Sequence, residues 1–336
     1  MITEVELPGI VEPDGLQLRR RETPRVAPGQ ALVRMEATGV SFAEQQMRRG
    51  KYYDQPPFPF VPGYDVVGVV EAIGETESGF TVGQRVAAVT KTGGWADRLV
   101  LDTADLARVP DGVGAEEVEA VIVNGVTARR MLAIAGVGRG DTVVVLGANG
   151  GVGSLLVQLA RHAGAQVIGV ASKRHFPYLR ELGAIPVDRE EDTAAAVAAL
   201  APNGVKAVFD HVGGPGIRRS WSMLDRGGVL ISYGTAATRD QQGNAKLPVL
   251  ALIGRLVLWN LMPNGRSATF FNLWSGRKRL ERHRAELRTD LEAVFDQLAA
   301  GEITARIARA FPLSDVADAV RYAESGSAAG KVVLIP

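Results

Sequence analysis

The 336-residue chain contains no cysteine. That absence excludes disulfides, thiolate nucleophiles and every cysteine-based zinc or iron–sulfur centre. Histidine is nearly as scarce: His162, His175, His211 and His283 are the 4 present, and no two are spaced as a helical or loop metal pair. No metal is expected. Charge of one sign is also lacking, since 38 Lys and Arg against 37 Asp and Glu give a formal net charge of +1. Nucleic-acid binding needs a basic surface to neutralise phosphates, so no nucleic-acid partner is expected. Long hydrophobic runs are missing too, because the longest, Leu247 to Met262, is broken by Arg255 and is shorter than a bilayer span. The opening Met1-Ile2-Thr3-Glu4-Val5-Glu6 has neither the basic n-region nor the apolar core of a signal peptide. The chain reads as soluble and cytoplasmic, with no membrane partner.

Against these absences stands one strong motif. Val143-Val144-Val145-Leu146 reads as a buried strand, Gly147-Ala148-Asn149-Gly150-Gly151-Val152-Gly153 as a turn, and Ser154 to Ala160 as an apolar-rich helix. The glycines at 147, 150 and 153 divide three tasks: a tight reversal, close approach of backbone N–H groups to a pyrophosphate, and close helix–strand packing. An anion is favoured at such a helix N-terminus by unsatisfied N–H groups and the helix dipole. Gly147, Asn149, Gly150, Gly151, Val152 and Gly153 are therefore candidate dinucleotide contacts. Further apolar strands at Gln166–Ala171, Val205–Asp210 and Gly228–Gly234 alternate with helical segments, as a βαβ arrangement requires.

Length and a hydrophobic content of 46% favour two domains. Before the glycine loop, short β-like runs (Ala31–Glu36, Asp65–Ile73, Gln84–Val89) are divided by Pro and Gly turns, which suggests a β-rich domain. From about 123 to 265 the α/β alternation dominates. The tail ends in a short helix, Leu313 to Glu324, and a strand, Lys331–Ile335, for which the N-terminal domain is the obvious host. The expected division is 1–122 with 266–336 as a catalytic β-rich domain, and 123–265 as a doubly wound parallel-sheet nucleotide domain.

The order of motifs resembles the medium-chain dehydrogenase/reductase superfamily, and within it the zinc-free quinone oxidoreductase branch. The resemblance rests on Gly39-Val40-Ser41-Phe42-Ala43-Glu44, Arg49-Gly50-Lys51-Tyr52, Pro62-Gly63-Tyr64-Asp65 and Gly83-Gln84-Arg85-Val86. It continues through Asn124-Gly125-Val126-Thr127-Ala128, the glycine loop, Phe209-Asp210-His211-Val212-Gly213-Gly214 and Gly330-Lys331-Val332-Val333-Leu334-Ile335-Pro336. It implies an α/β protein with a GroES-like N-terminal domain, a Rossmann domain, and an active site in the cleft between them. Zinc alcohol dehydrogenases of the superfamily carry Cys near Ser41 and Gly-His-Glu at Gly63-Tyr64-Asp65, and a four-cysteine lobe where Lys91–Asp97 stands. Without a Lewis acid, alcohol–ketone interconversion loses its main device, whereas conjugate reduction needs only donors for a carbonyl oxygen.

The residues after the second strand of the nucleotide domain select the cofactor. An NAD enzyme usually places an acid there; here the chain reads Ala171-Ser172-Lys173-Arg174-His175, which suits the 2′-phosphate of NADPH. Ser172 and Arg174 are preferred as donors over Lys173, because an alternating strand end points them the same way. The resemblance adds Arg189, where the family often has Tyr, and notes His175, where it often has Lys. It also implies cofactor contacts at Asn124, Thr127, Val212, Gly213, Tyr233, Gly234, Phe270 and Phe271, with core packing an equal reading for the two phenylalanines.

No residue stands out as the catalytic acid. Tyr52, Ser41 and Tyr64 are the candidate catalytic hydroxyls, with Gln46 nearby and packing as the rival role for the Tyr52 ring. The expected activity is zinc-independent, NADPH-dependent hydride transfer to a quinone or an enone-type C=C bond in a hydrophobic conjugated substrate. The alternatives are a biosynthetic reductase or reductive cyclase acting on a bulky conjugated intermediate, and a non-catalytic NADPH-binding protein. The insert around Pro248–Trp259 has three readings: a pocket wall, a subunit contact in an expected homodimer, or domain core. Arg277 to Arg288 reads as a solvated charged helix.

Overall fold

Period-two alternation builds the first sheet. Along Gln30–Val40, Ala31, Val33, Met35 and Ala37 are fully buried, while the residues between them are half-buried. In the computed structural model, which describes residues 1–74, 79–234, 236–238 and 246–336, the chain forms two compact units. One comprises Met1–Val126 and Gly276–Pro336, the other Thr127–Ser275.

The first unit begins with β1 (Ile2–Glu6), β2 (Gln17–Arg21), β3 (Gln30–Val40), α1 (Phe42–Arg48), β4 (Asp65–Ile73), β5 (Arg85–Val89), β6 (Arg98–Asp102) and β7 (Ala107–Arg108). Helix α2 (Ala115–Ala135) then runs into the second unit, which carries β8 (Thr142–Leu146), α3 (Gly151–His162), β9 (Gln166–Ala171), α4 (Phe176–Glu181), β10 (Ile185–Asp188) and α5 (Thr193–Leu200). It continues with β11 (Val205–Asp210), α6 (Ile217–Ser222), β12 (Leu224–Ser232), α7 (Lys246–Asn260) and β13 (Ser267–Phe270). The chain returns to the first unit with α8 (Leu280–Ala299), β14 (Ile307–Pro312), α9 (Val316–Glu324) and β15 (Lys331–Ile335).

The seven-stranded sheet of the first unit has the order β14-β15-β3-β4-β5-β7, with β6 paired to β3. The terminal strand finds its host there: Val332 to Leu334 pair antiparallel with Val40 to Thr38. A core of Val33, Met35, Val66, Val86, Trp95, Leu106, Phe311 and Leu334 lies against this sheet.

The second unit carries a six-stranded parallel sheet in the order β10-β9-β8-β11-β12-β13. Its central strands are apolar throughout, as in Val143-Val144-Val145 and Ala207-Val208-Phe209, because helices cover both faces. Chain order reverses between β8 and β11, and that switch point is where open α/β sheets bind ligands. Strand β13 extends this sheet by pairing Val229–Ser232 with Ser267–Phe270, so the chain beyond residue 265 still belongs to the nucleotide unit rather than to the β-rich one.

Residues 239–245 of the apolar insert lie outside the described residues; the rest is α7. It packs Val249, Leu252 and Leu256 inward, stacks Trp259 on Trp221 at 4.8 Å, and leaves Leu247, Leu250, Val257 and Leu258 exposed. Its last residue covers the sheet edge. Asn260 Nδ2 donates to the Ala268 carbonyl at 2.8 Å, and Asn260 Oδ1 accepts from the Ala268 N–H at 2.7 Å. Helix α8 is less solvated than its charges suggest. His283, Leu287, Leu291, Val294 and Phe295 form a buried face, and Arg284 pairs with Asp102 at 2.7 Å and Asp105 at 2.8 Å. On the outer face the Arg282–Glu286 pair at 2.7 Å matches the expected solvated arrangement.

Replacing Asn260 by Ala removes both bonds to the strand edge. The expected loss is about 1–2 kcal/mol, read as a lower urea midpoint at constant slope, since the site is partly open to water. An unchanged midpoint would show that water serves that edge equally well.

Candidate functional site

The glycine loop has the geometry its spacing requires. Gly147 adopts φ +65, and an ideal Cβ there would stand 2.3 Å from Cε1 of His211. A Cβ on Gly153 would meet the Gly147 carbonyl oxygen at 2.2 Å, so helix α3 leaves room for hydrogen only. The Gly150 N–H donates to the Gly147 carbonyl at 2.9 Å, and Gly150 is the N-cap of α3. Because Ser154 N–H donates to the Gly150 carbonyl at 2.8 Å, the N–H groups of Gly151, Val152 and Gly153 precede the first of the helix's own bonds. This cradle suits a pyrophosphate.

The other cofactor candidates of this unit gather at the carboxyl ends of neighbouring strands: Ser172 after β9, Arg189 after β10, Val212 and Gly213 after β11, Tyr233 and Gly234 after β12, and Phe270 and Phe271 at β13. Asp210 organises the turn after β11. Its buried carboxylate accepts from the N–H groups of Val212 at 2.8 Å and Gly213 at 2.9 Å, and from Ser220 Oγ at 2.6 Å. Gly213 then takes φ +63. His211 Nδ1 lies 3.0 Å from the Leu146 carbonyl, joining β11 to β8 across the switch point. Burial lowers the His211 pKa despite Asp210, which keeps the ring neutral. Burial and then Asp210 push the Tyr233 hydroxyl well above the usual phenol range.

After β9 the expected alternation stops. Ser172 caps a 3-10 turn, Lys173–His175, so Ser172 and Arg174 are placed by that turn and not by strand pleating. Lys173 points to the sheet's own acids, 3.3 Å from Asp188 and 3.4 Å from Glu191. Arg189 follows β10 with its N–H on the Ala171 carbonyl at 3.0 Å, adjacent to Ser172.

In the β-rich unit, Tyr52 and Tyr64 come together with hydroxyl oxygens 2.9 Å apart. Burial, then Tyr64 and Tyr53, raise the Tyr52 pKa far above the ordinary phenol value. Ser41 begins α1 and is tied to Glu44, whose Oε2 accepts from the Ser41 N–H at 3.0 Å and from its hydroxyl. Glu44 Oε1 also accepts from the Tyr64 N–H at 2.7 Å and thereby positions that tyrosine. The Ser-x-x-Glu spacing is a capping-box signature, so this role of Glu44 had a readable signal. On the same helix, Gln46 Nε2 is buried with no hydrogen-bond partner among the described residues. Asn124 donates to the Ala120 carbonyl of its own helix at 2.9 Å, and Thr127 is buried one turn on.

Behind Glu44 lies a fully buried ionic cluster. Lys331 Nζ stands 3.3 Å from Asp65 and 3.0 Å from Glu119, packed where a Cβ on Gly39 would be. Burial alone would lower the Lys331 pKa, but Asp65, Glu119 and Glu44 together raise it. Burial raises Glu119 well above the carboxylate range against the pull of Lys331, and raises Glu44 as well. Glu119 thus meets two opposing influences, burial that favours its neutral form and the Lys331 ammonium that favours its charged form, and burial is the larger.

Two family models match this chain: an alcohol dehydrogenase GroES-like domain over residues 27–111 and a zinc-binding dehydrogenase domain over 182–334. The synaptic vesicle membrane protein VAT-1 homolog of Rattus norvegicus is 32% identical over 335 residues, covering 96% of this chain and 80% of that protein. A probable quinone oxidoreductase of Schizosaccharomyces pombe is 32% identical over 227 residues, 66% of this chain and 68% of that one. The chain belongs to the medium-chain dehydrogenase/reductase superfamily, in its quinone oxidoreductase-like branch. It is an oxidoreductase with the GroES-like and Rossmann domains of that superfamily. A mycobacterial member solved in complex with NADPH superposes with a TM-score of 0.84 at 28% identity, covering 100% of both chains.

Zinc is implied by one of the matched family names, and this chain's donors do not fit it. Where zinc-dependent dehydrogenases of this superfamily present Cys and His, this chain has the hydroxyls of Ser41 and Tyr64, already engaged with Glu44 and Tyr52. The nearby carboxyls face Lys331 instead. Among the described residues, no group of three His, Cys, Asp or Glu is disposed to hold a metal ion. No helix among them is long and apolar enough to cross a membrane.

The Glu119 assignment is testable by stability. A carboxyl whose folded pKa is raised contributes stability below its unfolded pKa and loses it as pH rises toward the folded value. Glu119→Gln, which keeps the shape without the titration, should therefore flatten the fall in melting temperature as pH rises above the ordinary glutamate range. A variant that melts several degrees lower at every pH would show Glu119 to be ionised and bound to Lys331.

Proposed function

We propose that this chain is an NADPH-dependent, zinc-independent reductase of quinones or enone-type C=C bonds. The observation that carries this reading is the nucleotide cradle at the start of α3; in the β-rich unit, the positions where zinc-dependent relatives carry ligands hold the Ser41 and Tyr64 hydroxyls. The N–H groups of Gly151, Val152 and Gly153 would hold the pyrophosphate, and Ser172, Arg174 and Arg189 the 2′-phosphate, at the carboxyl edge of one sheet. The NADPH-bound mycobacterial relative supports this cofactor choice. When bound, the nicotinamide supplies a hydride.

Hydride addition to the β-carbon of an enone, or to a quinone ring, moves an electron pair onto the carbonyl oxygen. Tyr52 meets that charge as a neutral hydrogen-bond donor. Burial keeps its proton in place, so it stabilises the oxygen without itself ionising. Tyr64 orients Tyr52 through the shared hydroxyl contact, and Glu44 fixes Tyr64 through its backbone N–H. For an enone, a proton delivered to the α-carbon completes the reduction; for a quinone, a proton goes to the oxyanion, and transfer of the proton from the reduced ring carbon to the second oxygen restores the aromatic ring. Water can deliver the incoming proton.

The remaining readings of this site concern assembly and location. We infer a homodimer in the cytoplasm. Since Asn260 already covers the edge of β13 at Ala268, the exposed Leu247, Leu250, Val257 and Leu258 of α7 offer the apolar contact area instead. Light scattering should return twice the chain mass at micromolar protein, and a monomer mass would remove the dimer from the account.

The functional test is NADPH oxidation against a panel of quinones and enones, with elemental analysis of the same sample. Turnover without stoichiometric zinc, unaffected by strong chelator, is expected; one tightly bound zinc per chain, or binding of NADPH without any turnover, would overturn the reading. Tyr52→Phe should lower kcat about tenfold to a hundredfold with little change in KM, because it removes one donor used mainly in the transition state. An unchanged kcat would assign Tyr52 to packing.

A further inference from the structure

The turn that follows β9 contains a titratable group in a defined state. Arg174 Nε lies 3.1 Å from His175 Nε2, and a guanidinium can only donate. In this contact His175 Nε2 is therefore the acceptor. The neighbouring Lys173 is already matched by Asp188 and Glu191, and Arg189 lies 3.9 Å from Glu190. Lys173 and Arg174 precede His175 on its own turn, Asp188 and Glu191 reach that turn through Lys173, and Tyr178, Arg180 and Glu181 follow on α4.

A 2′-phosphate placed against this turn carries close to two negative charges at neutral pH. Arg174 would turn its donors to the phosphate and release His175 Nε2. A neutral imidazole acceptor facing phosphate oxygens is unfavourable, whereas an imidazolium donates to them and gains from their charge. We propose that His175 takes up a proton when NADPH binds and makes the protein's preference for NADPH over NADH dependent on pH. The inference rests on the cofactor reading above and adds a residue to it. By linkage, a group protonated only in the complex weakens binding as pH rises above its free value. NADH, without the phosphate, does not draw the proton.

The test is a set of dissociation constants for NADPH and NADH, from nicotinamide fluorescence, between about pH 6.5 and 8.5, a window above the phosphate's own second ionisation near pH 6. Wild-type protein should lose NADPH affinity severalfold across that range, with about tenfold the ceiling for a one-unit pKa change, while NADH affinity stays level. His175→Lys should bind NADPH tightly with a flat profile, and His175→Gln more weakly with a flat profile. Calorimetry in two buffers of different ionisation enthalpy should show proton uptake for NADPH binding to wild type alone. A flat wild-type NADPH profile, or an alkaline loss that persists in His175→Gln, overturns the role of His175 while leaving the cofactor reading intact. A wild-type preference for NADH throughout overturns both.

Discussion

Close packing at the switch point between β8 and β11 is the constraint on which the nucleotide unit depends. Gly147 turns left-handed beneath the His211 ring, Gly153 brings α3 against the Gly147 carbonyl, and His211 closes on the Leu146 carbonyl. None of these contacts leaves room for a methyl group. Their joint result is a helix start at which the N–H groups of Gly151, Val152 and Gly153 precede the helix's own bonds, and Asp210 holds the loop after β11 by three hydrogen bonds. The form of the proposed cradle thus follows from sterics that only glycine satisfies.

The β-rich unit solves a different problem. Its positions for zinc ligands carry hydroxyls, and the carboxyls behind them are turned to Lys331. A cationic side chain on the last strand therefore sits among the acids, linking β15 to β4 and α2. Glu44 belongs to that cluster and also fixes Ser41 and Tyr64, so the buried charges and the candidate hydroxyls share one supporting residue. In this arrangement Tyr64 is held by the bond from its N–H to Glu44 and by its hydroxyl contact with Tyr52.

Much of this was legible in the chain. The glycine spacing, the all-apolar strands at Val143–Leu146 and Val205–Asp210, and the alternation around Met35 each reflect a local steric or periodic rule, and the observed elements follow them closely. What escaped sequence reasoning depends on tertiary neighbours. The pleat argument for Ser172 and Arg174 failed because β9 ends in a 3-10 turn, and Lys173 was drawn away by acids from β10 that are distant in sequence. Strand β13 is too short to announce itself, and only its pairing with β12 places it in the nucleotide sheet. The linking of Lys331 with Asp65 and Glu119 joins residues 266 apart at one contact, and no local pattern encodes it. The partners of Asp210 and His211, N–H groups of the next turn with Ser220 and the Leu146 carbonyl, are met only after folding.

The central claim is conjugate reduction without a Lewis acid, and isotope placement tests it most directly. Protein freed of metal by chelation would be supplied with NADPH deuterated at the transferable position and a simple enone, and the product examined by NMR. The account predicts deuterium at the β-carbon of a saturated ketone. Deuterium at a carbinol carbon, from direct reduction of the carbonyl, would contradict it.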